Sequence, residues 1–136
     1  MEFPPPHETP ASDPQSVDGW RTVSFITWIS VFGALLAIAV SSRTIGRPVW
    51  WLGSSGRPAP LIFLTIPIVM TVFPIIVTIR QPHRMVVAGF ISAIGLFAIA
   101  IPDFADSPGV ALAVSVIAFA ALIESIALGM VTRQYR

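Results

Sequence analysis

The order of apolar and polar positions divides the chain into a short polar head and four long apolar windows. No charge occurs from Thr22 to Ser42, from Pro58 to Ile79 or from Met85 to Pro102, and from Ser107 to Thr132 the only charge is Glu124. A helix crossing the hydrocarbon of a bilayer needs about 20 mostly apolar residues. The pattern therefore predicts four transmembrane helices over about 20–42, 59–80, 84–102 and 109–131, the third the shortest. The fold class expected is all-α: a polytopic membrane protein, an antiparallel four-helix bundle.

Residues 1–19 are of different material. They hold Pro4, Pro5, Pro6, Pro10 and Pro14 and four acids. A segment this poor in large apolar groups does not bury enough surface to offset its ordering entropy, so a disordered Pro-rich tail is expected. It has no basic n-region, so the first helix reads as an uncleaved anchor.

The connections set the topology. Gln81-Pro82-His83 and Asp103 to Ser107 are short, and Pro102 and Pro108 act as breakers. Short links make helices two, three and four an antiparallel meander. The link from Arg43 to Arg57 is longer and carries Trp50 and Trp51. Indoles favour the headgroup level, so this loop is expected along the membrane surface. With an even number of spans, both termini share one rim, together with Arg21, Arg80, His83, Arg84, Arg133 and Arg136. The other rim holds Arg43, Arg47 and Arg57 with Asp103 and Asp106, the natural ion-pair partners of that loop. Five arginines against three favour cytoplasmic termini in a plasma membrane. Lipid headgroup contacts are expected from Arg43, Arg47, Trp50, Trp51, Arg57, Arg80, His83 and Arg84.

Composition agrees. Of 136 residues, 54% are hydrophobic and 11% charged, against about 25% charged in a soluble domain. The net charge of +1 calls for no nucleic acid. The chain has no Cys and two His, so thiolate metal sites, a Cys nucleophile and a paired-His haem are excluded. No HExxH, GxSxG or GxxxxGK[ST] motif occurs, so neither an enzyme nor a bound cofactor is expected. Eight Arg and no Lys, with abundant Ala, Gly and Pro, fit a GC-rich bacterial genome. Length and span count are similar to those of small multidrug transporters. That family carries its membrane Glu in the first helix, where this chain has no acid, so no function is carried over.

Three features carry candidate chemistry. Glu124 lies seven residues inside the end of its helix, roughly 10 Å deep. An ionisable group there costs a few kcal/mol unless it meets a partner or a proton, and marks a functional or packing carboxylate. Ser24, Thr27, Trp28, Thr78 and the rim arginines are within sequence reach. Pro67, Thr71, Pro74 and Thr78 form one polar, kinking stripe on helix two. The prolines free the carbonyls of Phe63 and Met70, which Thr hydroxyls, a neighbouring helix or water would have to satisfy. Small residues recur every four: Gly33, Ala37 and Ser41; Gly89 and Ala93; Ala88, Ser92 and Gly95; Ala121, Ser125 and Gly129. Such stripes let helix backbones approach closely. The reading favoured is a non-catalytic accessory or structural subunit packing against a membrane partner or a second copy of itself. The alternative is a small oligomeric proton- or cation-coupled transporter that uses Glu124.

Overall fold

The structure is a computed structural model that describes residues 14–134 apart from Ser55. Four long helices, α1 (Pro14–Thr44), α2 (Leu61–Arg80), α3 (Met85–Ala100) and α5 (Pro108–Gln134), carry the fold, with one short turn of helix, α4 (Asp103–Asp106), between the last two. Four helical stretches, Gly19–Thr44, Leu61–Arg80, Pro82–Ala100 and Pro108–Arg133, are long and apolar enough to cross a membrane, the third by counting the 3-10 turn Pro82–Arg84 that leads into α3. They pack as a ring, α1 against α2, α2 against α3, α3 against α5 and α5 back against α1.

The ends differ from expectation for local reasons. Of the segment expected as a disordered tail, residues 1–13 lie outside the described residues. Residues 14–19 belong to α1, which begins six positions early, where Pro14 suits a first helical turn. The other end of α1 is a Schellman closure. Gly46 has φ +73°, its N–H reaches Arg43 O at 3.1 Å, and Arg47 N–H reaches Ser42 O at 3.0 Å. The segment Asp103 to Ser107, read as a plain loop, instead forms α4. The long link is more ordered than expected too. It makes a 3-10 turn (Trp50–Leu52) and a hairpin of two-residue strands, β1 (Gly53–Ser54) and β2 (Arg57–Pro58), a small exception to an otherwise all-helical fold.

Small residues explain the closeness of the ring. A Cβ built on Gly89 would collide with Ser125 Oγ and lie 3.8 Å from Trp28, so α3, α5 and α1 meet there. A Cβ on Gly95 would strike the Met70 sulfur of α2. Both α3 stripes thus serve the interior, as two neighbours require. The α1 stripe does not. Gly33, Ala37 and Ser41 are exposed, because Trp28, Val31, Leu35 and Ala39 form the inward face of that helix.

Candidate functional site

Glu124 and its surroundings form the first candidate. α5 turns Ala121, Ser125 and Leu128 into the bundle, and Glu124 flanks that face towards α1. Both carboxyl oxygens are buried, and no hydrogen bond reaches either. The Ser24 hydroxyl of α1 lies beside the carboxyl, near enough to act on its charge, but no hydrogen bond closes between them. Ser24 is itself buried with its oxygen unpaired, as are Thr78 on α2 and Ser92 on α3. The rim arginines do not supply a partner. Arg21 instead donates to Ile79 O at 3.4 Å, tying the start of α1 to the end of α2. Each helix of the ring thus brings a polar atom inward, and four side chains leave theirs unsatisfied. A buried polar group without a partner costs about 1–3 kcal/mol.

Ser125 is the contrast. Its hydroxyl donates back to Ala121 O at 2.9 Å, so its polarity is spent within its own helix.

The α2 stripe is placed as the spacing predicts, since Pro67, Thr71, Pro74 and Thr78 are the buried residues of that helix. Its two ends border different spaces, Thr78 a rim pocket shared with Arg21, Thr22, Phe25 and Ile79. Pro67 borders an apolar cavity of 110 Å³ shared with Phe32, Leu35, Trp51 and Leu64. Thr71 does not relieve the carbonyls that the prolines free. Its hydroxyl donates to Pro67 O at 2.9 Å and Ile68 O at 3.0 Å, neither of which is Phe63 O or Met70 O.

The opposite rim overturns two expectations. Trp51 does not present its indole to the surface. It is 4% exposed and seated between α1 and α2, because the 3-10 turn points its indole down into the apolar core. Asp103 does not pair with a loop arginine. It is buried, and its Oδ1 accepts the backbone N–H of Trp50 at 3.0 Å. The Trp50 indole N–H donates to Ile99 O at 2.8 Å, and its ring meets Phe63 edge-on with centroids 5.8 Å apart. Trp50 therefore pins the long loop to the end of α3, to α4 and to α2. Arg43 adds a bond to Leu52 O at 3.4 Å. Arg43, Arg47, Arg57, Arg80, His83 and Arg84 are all exposed.

Burial pushes the Asp103 carboxyl above the usual aspartate range. The Trp50 N–H opposes this and the nearby Asp106 charge adds to it. An acid whose folded pKa is raised favours the folded state most at low pH, and that contribution is lost as pH rises through the raised value. Thermal unfolding in detergent, compared between wild type and Asp103→Asn from pH 4 upward, should show the wild type losing ground to the variant as pH rises. A pH-independent difference, or a gain with rising pH, would contradict the buried staple.

The staple left no readable signal in the sequence, since an acid bonding a backbone N–H 53 residues away has no spacing of its own. The unsatisfied Ser92 was legible only as a small residue. Among the described residues, no group of three His, Asp or Glu comes together to hold a metal ion. No family model, curated protein or solved structure matches the chain.

Proposed function

We propose that the chain is a multi-pass protein of the plasma membrane, with cytoplasmic termini, that acts as a non-catalytic accessory or structural subunit. The observation that carries this reading is the filled axis of the bundle. Trp28, Ala93, Leu96, Ala118 and Ala121 are each 0% exposed, and together they occupy the space where a substrate route through a single copy would run. The outward faces suit lateral packing in lipid. Large apolar side chains such as Ile29, Leu36, Val69, Ile94 and Phe119 project from all four long helices. The arginine count favours the orientation. The inward carboxyl of Glu124 then belongs to the interior and is not the docking point for the partner.

A second reading keeps one specific observation in its favour. A carboxyl with both oxygens buried and unpartnered beside a free hydroxyl is suited to take up and release a proton. On that reading Glu124 is the proton carrier of a small oligomeric transporter.

One variant separates them. In the accessory reading, Glu124→Gln leaves assembly and stoichiometric co-purification with a membrane partner intact, because the amide keeps the shape of the side chain. Complete loss of activity with assembly preserved, or a pH-driven flux in vesicles that the variant abolishes, would transfer the assignment to the transporter.

A further inference from the structure

At the arginine-bearing rim, the start of α3 and the end of α5 diverge around a groove of 650 Å³. Its mouth is formed by His83, Thr132 and Arg133, and its walls run inward along Phe90, Ile126 and Met130. From Arg133 to Ile126 is seven residues of helix, a depth of about 10 Å. His83 and Arg133 are exposed, Arg84 follows His83 on the same rim, and among the described residues no carboxylate lines the groove. At the floor, Gly129 faces Val86: a Cβ there would lie 3.3 Å from the Val86 methyl, so the absence of a side chain sets how closely the helices converge beneath the opening.

A cationic mouth over an apolar slot matches one kind of molecule, an amphiphile with an anionic head. The slot lies at the end of the apolar spans Pro82–Ala100 and Pro108–Arg133, the level at which a bilayer presents phosphates. A guanidinium binds phosphate through paired, charge-assisted hydrogen bonds. The groove is too deep for a phosphate alone and too apolar for a soluble anion. We propose that it is a binding site for an anionic phospholipid, with the phosphate held by Arg133 and His83 and the upper acyl chain laid along Phe90, Ile126 and Met130. The inference rests on the membrane reading above. It adds a lipid specificity to one face of the bundle, independent of Glu124.

Native mass spectrometry of the full chain, released from mixed phosphatidylglycerol and phosphatidylcholine, tests the site. A basic side chain near an anionic surface changes affinity about fivefold, so the wild type should retain phosphatidylglycerol in preference by about that factor. His83→Gln combined with Arg133→Gln should bring the two lipids near parity without lowering Tm, since both positions are exposed. Gln81→Ala, exposed on the same rim but outside the groove lining, should leave the preference unchanged. Equal retention of both lipids by the wild type, a preference that survives the double variant, or an equal loss in Gln81→Ala would overturn the site while leaving the membrane reading in place. A chain that stays soluble without detergent and retains no lipid would overturn both.

Discussion

Gly89→Leu is expected to abolish the native bundle. Position 89 is where α3 meets α5 and α1 at once, with Ser125 Oγ in the space a Cβ would need and the Trp28 ring just beyond. Ser125 and Trp28 are fully buried, so neither has room to withdraw. Even Gly89→Ala should cost about 1–3 kcal/mol, the usual range for overpacking a filled core, although alanine is the better helix former. The exchange Gly89→Ala with Ser125→Gly should recover much of that loss, because it returns the volume to the same contact. A double-mutant cycle read by thermal unfolding in detergent would give a favourable coupling of about 1 kcal/mol or more. Additive losses would mean that the two helices do not touch at this point.

Glu124→Leu is expected to stabilise the protein. The carboxyl brings two buried oxygens into the bundle and forms no hydrogen bond with either. Its removal relieves a desolvation cost of about 1–3 kcal/mol, and an apolar side chain of similar volume takes the space between α5 and α1. A rise in Tm of a few degrees is the expected readout. Glu124→Gln, which keeps a polar head in the same place, should move Tm much less. A clear fall in Tm for Glu124→Leu would show that the carboxyl is held by a partner, and that its role is to fix the packing of α1 on α5. A more stable variant that also loses activity would show a group kept at the expense of stability, as the proton-carrying reading requires.

The helical architecture was legible because the windows are long and the charges few. Periodicity also placed the buried face of α2, since Pro67, Thr71, Pro74 and Thr78 lie within a narrow arc at 100° per residue. Spacing showed which residues share a face but not which way that face turns. The Gly33, Ala37 and Ser41 stripe matches the α3 stripes in pattern, yet it looks outward because the larger Trp28, Val31 and Leu35 claim the interior. The long loop was the least legible part. Its tryptophans have the composition of an interfacial belt, but a single 3-10 turn sends Trp51 into the core and leaves Trp50 to staple the loop through Ile99 and Asp103. Those contacts depend on tertiary placement, and the local sequence records none of it. For Glu124, the sequence placed the residue inside the last helix but ended that helix at Val131; α5 runs to Gln134, so Glu124 lies ten residues from its end and not seven. The unpaired state of its oxygens required the positions of all four neighbours.

The central claim is a bundle that crosses a membrane four times, with two chemically different rims. The chain has no cysteine, so single cysteines can be introduced without background and labelled in intact cells with a thiol reagent that does not cross the membrane. Ser54 and Ala105 are exposed on the loop rim, and Gln81 is exposed on the rim shared by the termini, where α5 also ends at Gln134. Ser54→Cys and Ala105→Cys should label from outside, while Gln81→Cys and Gln134→Cys should label only after the membrane is opened. The same two pairings with the sides exchanged would keep the bundle and reverse its orientation. Labelling of all four from one side, or of Gln81→Cys together with Ala105→Cys, would contradict the four-span bundle itself.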